Sequence, residues 1–126
     1  MSEQTEFQLS KIGNIMLGVS NMAASLPFYR DLLGMSLQFE SPGFAFLDGG
    51  GVTLCLSEPL AKANDNVIGA TEIVFSVEDV TQAYTNLREQ GVAFQNEPRQ
   101  VTPTDWAANF KDPDGHGLSI FGPAPE

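Results

Sequence analysis

The chain is poor in the residues that carry most catalytic and metal chemistry: among 126 residues there is one cysteine, Cys55, one histidine, His116, and one tryptophan, Trp106. A single cysteine excludes an internal disulfide and any zinc site built on several thiolates. A lone histidine leaves little imidazole for metal or acid-base chemistry. No apolar run approaches the ~20 residues that cross a bilayer, and Met1–Glu6 lacks the basic opening of a signal peptide. The expected address is cytoplasmic, with no membrane partner. Positive charge is scarce too: six Lys and Arg against sixteen Asp and Glu give a net charge of -10. Such a chain repels phosphate backbones, so nucleic acid is not expected as a partner. The acidity either serves solubility or suits a neutral or cationic small molecule.

What is present is an ordinary globular composition, 42% apolar and 17% charged, at the length of one domain. Its organising stretch is Asn109–Phe121, which reads as a β-hairpin. Pro113 presets φ for the turn, Asp112 and Asp114 can bond the turn backbone, and Gly115 admits positive φ. An earlier strand ending at Leu54-Cys55-Leu56 resembles the hairpin's last strand, and the chain reads as one unit written twice. Residues 1–11 read as a frayed arm. Asn14–Val19 alternates as a strand, Asn21 is placed to cap a helix with an apolar stripe at Met22, Leu26, Tyr29 and Leu33, and Gly34 is placed to stop it. Strands near Ser36–Glu40, Gly43–Asp48 and Val52–Ser57 complete a β-α-β-β-β module, and residues 58–69 read as a linker.

The pattern restarts at Thr71–Val77. Asp79 takes the capping place of Asn21, Val80, Ala83, Tyr84 and Leu87 form the stripe, and Gly91 the stop. A strand near Val92–Gln95, a loop bounded by Pro98 and Pro103, a strand at Asp105–Lys111 and the final hairpin strand follow. Val19 to Gly34 is one residue longer than Val77 to Gly91, and the excess falls in the segment holding Pro27, which predicts a bulge or kink in the first helix. The fold class is therefore α+β: a single domain over 1–126, with module 1 at about 12–57 and module 2 at about 70–123.

Two such modules, with Val19-Ser20-Asn21-Met22 and Phe28-Tyr29-Arg30-Asp31-Leu32-Leu33-Gly34 in the first and Asp112-Pro113-Asp114-Gly115-His116 closing the second, resemble the vicinal oxygen chelate superfamily. That superfamily includes glyoxalase I, extradiol dioxygenases and bleomycin resistance proteins. The resemblance implies paired curved sheets around an open, barrel-like cleft, helices outside, and a homodimer. It also implies that Ile15, Leu17, Val19, Ile73, Phe75 and Val77 lie under the helices, while Asn14, Met16, Gly18, Glu72, Val74 and Ser76 face the cleft. The family's metal enzymes take ligands from inward positions on the first and last strands of each module. Carried over, the two histidine positions hold Asn14 and Glu72, and the two carboxylate positions hold Cys55 and Ser119. That set does not complete a divalent site, so no metal and no cofactor is expected.

His116 is expected at the turn, outside the cleft, and Cys55 as a small buried residue. Glu72 needs a partner because an isolated buried charge is costly; a basic side chain, solvent and a cationic ligand all qualify. Trp106 is expected to wall the cleft. The sites expected to touch a ligand are Asn14, Cys55, Glu72, Trp106 and Ser119, with no catalytic residue. The leading expectation is a metal-independent small-molecule-binding protein that sequesters an aromatic or cationic compound. The alternatives are a lyase, epimerase or dioxygenase of the same superfamily, or a dimeric module whose cleft binds nothing.

Overall fold

The computed structural model describes residues 12–65 and 72–125. The N-terminal arm and the end of the expected linker lie outside the described residues. Alternation sets the strands and local caps set the helices. In order they are β1 (Asn14–Gly18), α1 (Met22–Pro27) continued by a π-helical turn (Phe28–Leu32), β2 (Leu37–Ser41), β3 (Phe44–Asp48), β4 (Thr53–Ser57), α2 (Glu58–Ala63), β5 (Glu72–Ser76), α3 (Val80–Gln90), β6 (Arg99–Gln100), β7 (Trp106–Lys111) and β8 (Gly117–Gly122). They form two four-stranded mixed sheets of matching order, β1-β4-β3-β2 and β5-β8-β7-β6.

The duplication holds residue by residue. β1 pairs in parallel with β4, Asn14 opposite Thr53 and Met16 opposite Cys55, while β5 pairs in parallel with β8, Glu72 opposite Gly117 and Val74 opposite Ser119. Val19 N–H then donates to Ser57 O and Val77 N–H to Phe121 O, each at 3.0 Å. Asn21 and Asp79 cap their helices as expected, accepting from Ala23 N–H and Gln82 N–H at 3.1 Å. Gly34 and Gly91 end the helical segments at φ 79° and 107°, angles at which a side chain is strained.

The extra residue of the first module is absorbed where Pro27 sits. Proline has no N–H for the carbonyl one turn back, and its ring crowds that carbonyl. The ladder reopens as a wider turn, with Leu33 N–H donating to Phe28 O at 3.0 Å. Two other expectations fail. Residues 58–63 of the expected linker are the helix α2, capped by Ser57 Oγ accepting from Leu60 N–H at 3.1 Å, with Pro59 in its first turn. Val92–Gln95 is not a strand: Phe94 makes one isolated bridge to Phe110, and the fourth strand is Arg99–Gln100, inside the segment read as a loop.

The modules share one core, with Leu17, Val19, Leu26 and Tyr29 from the first meeting Val80, Phe110, Leu118 and Ile120 from the second. The hairpin turn adds a polar clasp. Tyr29 Oη donates to Asp112 Oδ2 at 2.7 Å, and Ser20 N–H and Ser25 Oγ donate to Asp114 at 2.9 and 3.2 Å. Burial and the Asp112 charge push the Tyr29 phenol well above its ordinary pKa, so it stays a donor.

Tyr29→Phe leaves the buried Asp112 carboxylate one donor short. It is expected to cost about 1.5–3 kcal/mol in urea unfolding near neutral pH. The unfolded phenol ionises near pH 10 and the folded one does not, so above that pH the unfolded state holds fewer protons and stability falls as pH rises. The advantage of the native sequence over Tyr29→Phe is therefore expected to stay constant to about pH 10 and to shrink above it.

Candidate functional site

β1 and β5 each end one side of their sheet, as β2 and β6 end the other, and among the described residues each has one unpaired edge. Between them lies a cavity of about 1000 Å³, walled by Met16, Val74 and Glu72, by Leu60 and Ala61 of α2, and by His116. Because the cavity runs along two strand edges, it touches both faces of each. Ile15, Leu17, Ile73 and Phe75, expected under the helices, also border it, and Ile15 is 39% exposed. Gly18 is required at this wall: a Cβ there would come within 2.9 Å of the Ala61 backbone, so only glycine lets α2 pack on β1.

Strand register assigns the remaining faces. Met16, Cys55 and Phe46 lie side by side on the open face of module 1, and Phe39 lies opposite Phe46. The rings of Phe39 and Phe46 are 5.9 Å apart and those of Phe46 and Phe44 are 6.4 Å apart and nearly parallel, which makes an aromatic wall. Phe39 is 61% exposed. Sequence reading missed it because the faces of its short strand were not assigned. Module 2 carries polar groups at the matching place: Glu72, Ser119 and Asn109 share its open face with Val74, and Asn109 Nδ2 donates to Glu72 Oε2 at 2.8 Å.

Of the five residues singled out from the sequence, Glu72 stands on the cavity wall, exposed, its recorded partner a neutral amide rather than a basic side chain. Asn14 is exposed at the start of β1. Cys55 and Ser119 occupy equivalent places and are buried, the first between Met16 and Phe46, the second between Val74 and Asn109. Trp106 must be reassigned: it lies on the face of β7 shared with Ala108 and Phe110 and packs against the core, not in the cleft.

His116 also needs correction. It is 7% exposed, borders the cavity and ties the modules together, its Nε2–H donating to Gly18 O at 2.6 Å, with Nδ1 buried and without a partner among the described residues. Since a carbonyl only accepts, Nε2 carries the proton. His116 does stand beside the turn, and what its position in the sequence could not show is that module 1 folds over that turn.

The positions that resemblance assigns to metal ligands hold an amide, a carboxylate already hydrogen-bonded, a buried thiol and a buried hydroxyl. Among the described residues no three His, Cys, Asp or Glu side chains are disposed around a common point that could hold a metal ion. The donor set does not fit a divalent cation. No helix among the described residues is long and apolar enough to cross a membrane.

The family model of the Glyoxalase/Bleomycin resistance protein/Dioxygenase superfamily matches residues 11–120. The chain belongs to that superfamily. Metallothiol transferase FosB of Staphylococcus haemolyticus (strain JCSC1435) is 32% identical over 113 residues, covering 86% of this chain and 81% of FosB. A superfamily member from Nocardioides superposes with a TM-score of 0.77 at 24% identity, covering 94% of this chain and 87% of that one. TnmS3, an antibiotic-binding protein from Streptomyces sp. CB03234, gives the same TM-score and identity over 94% of this chain and all of its own. These two structures share the fold.

Burial pushes the Cys55 thiol pKa up, and its Sγ lies 3.7 Å from Leu56 O. Alkylation of the native protein at pH 8 is expected to run at least about tenfold slower than for a free thiol, and to become complete in denaturant. Fast labelling in the native state would place a reactive thiolate in the cleft.

Proposed function

We propose that this chain is a metal-independent small-molecule-binding protein of the glyoxalase/bleomycin resistance type, acting in the cytoplasm as a homodimer and holding an aromatic or cationic compound in its cleft. The observation that carries this reading is the replacement of a ligand shell by Asn14, Cys55, Glu72 and Ser119, with Glu72 presented at the cavity edge. A net charge of -10 favours a cation there, and Met16, Ile73, Val74 and Phe75 at the cavity supply apolar area for a ring, continued by Phe39, Phe44 and Phe46 on the open face beyond it. Sequestration needs no reacting group: affinity from burial and one or two oriented polar contacts is enough. TnmS3 gives precedent for antibiotic binding on this fold. The outer edges of β2 and β6, at the ends of the sheets away from the cavity, support a second copy as partner.

The second reading is an enzyme of the superfamily. The likeness to FosB, by name a metallothiol transferase, favours it. Against it stands the donor set at the positions just described, where Glu72 alone offers a carboxylate. Elemental analysis of protein purified without chelator separates the two. Less than about 0.1 equivalent of zinc, manganese, iron or nickel is expected, and near one equivalent would return the enzyme reading.

Glu72→Gln is expected to weaken a cationic aromatic compound by about 1–3 kcal/mol and a neutral analogue of the same shape by much less, as read by calorimetry. Trp106→Ala is now expected to lower stability without a matching loss of affinity. Sedimentation at micromolar concentration is expected to show a dimer, and a monomer would overturn that part of the reading.

A further inference from the structure

The polar row on module 2 has a second charged end. Glu72 reaches across β8 because Gly117, its register partner there, has no side chain in the way. Beyond it Asn109 Oδ1 accepts from Asn96 Nδ2 at 3.0 Å and from Arg99 Nη1 at 3.3 Å, and Asn109 N–H donates to Asn96 Oδ1 at 3.0 Å. A guanidinium only donates and a carboxylate only accepts, so the orientation of the Asn109 amide is fixed by chemistry. One amide thus holds a cation and an anion apart, about 7 Å from one another, the reach of two hydrogen bonds and an amide in series. Glu72 and Arg99 are both exposed, and neither forms a salt bridge among the described residues, where Arg30 with Asp31 is the recorded pair. Each keeps hydrogen-bonding capacity beyond its contact with Asn109. Beside the row, on the same face, lie Val74, 50% exposed, and the half-buried Phe121.

We infer that Arg99, on the open sheet face beyond the cavity wall, is a specificity-determining residue for a ligand that reaches out along this row from Glu72, and that the ligand is amphoteric: an aromatic or apolar body with a cationic group for Glu72 and an anionic or strongly accepting group for Arg99. The inference rests on the reading of the cleft as a small-molecule site. It adds a requirement that the acidic net charge alone would not suggest, since Arg99 rewards a negative group on a ligand that the rest of the chain repels. Asn109 spaces the two charges by preventing their collapse into a direct ion pair, and its own position is held by Asn96.

Amide-proton NMR titration of the whole chain with 4-(aminomethyl)benzoate, benzylamine and 4-methylbenzoate tests this. The amphoteric probe is expected to bind about fivefold more tightly than either singly charged one, the effect of one partly exposed charge contact. Arg99→Gln is expected to remove that advantage and leave benzylamine unchanged. Glu72→Gln is expected to weaken both amines. If Arg99→Gln leaves the amphoteric probe unaffected while Glu72→Gln still weakens both amines, the inference is overturned and the cation-binding reading stands. If none of the three probes shifts cleft resonances at about 10 mM, both fall.

Discussion

Asp112 is 5% exposed, and all the donors it needs come from two places far apart in sequence. Oδ1 accepts the backbone N–H groups of Asp114 and His116 at 3.0 and 2.7 Å, which closes the turn, and Oδ2 accepts Tyr29 Oη from the first module. A buried carboxylate without these bonds would cost several kcal/mol, so the turn and the helix of the other module are constrained together. Asp114 and His116 extend the clasp to Ser20, Ser25 and Gly18, at the junction of β1 with α1. The end of β1 is thereby fixed relative to β8, and the gap between β1 and β5 takes its width from this contact. The cavity follows from the clasp.

Duplication then explains the shape of the site and divergence its chemistry. Equivalent residues stand at equivalent registers: Asn14 with Glu72, Met16 with Val74, Cys55 with Ser119. Had the copies kept equal open faces, the cleft would be symmetric and would suit symmetric ligation. Instead β2 and β3 carry phenylalanines on that face while β6 and β7 carry Arg99 and Asn109. One open face offers ring faces and the other a row of opposed charges. The π-helical turn is a second divergence: it inserts a residue without moving Gly34 from its stopping role, and it keeps Tyr29 buried against Asp112.

Much of this was legible because strands and caps are local. Period-2 alternation found β1 and β5, short polar side chains found both N-caps, and the count between Val19 and Gly34 located the irregular helix at Pro27. α2 escaped because six residues are too few to show a 3.6 period, although Ser57-Glu58-Pro59 is a helix start. β6 escaped because two residues between prolines carry no alternation, and the apolar Val92-Ala93-Phe94 segment offered a better pattern that the chain spends on the core. Trp106 was misplaced for want of parity: counting back by twos from Phe110 through Ala108 puts it on the core face. The role of His116 was not legible, since its partner is Gly18, distant in sequence and offering only a backbone carbonyl.

The likeness to FosB and the chemistry of the cleft pull in different directions, and they concern different residues. Identity of 32% is spread over a chain whose caps, turn, stops and core positions are demanded by the fold, so it is strong evidence for the scaffold. Catalysis through a metal depends on a handful of positions, and there the chain offers an amide, a thiol, a hydroxyl and one carboxylate. Glu72 then becomes the residue to account for. A carboxylate facing a cavity in a chain of net charge -10 is repelled by its surroundings, and Asn109 satisfies one of its oxygens without neutralising it. A glutamine there would keep the hydrogen bond to Asn109 and relieve the repulsion. The charge stands exposed at the cavity edge, where solvent and the Arg99 guanidinium beyond Asn109 already face it, and on the reading proposed above a cationic group entering the cleft would meet it there.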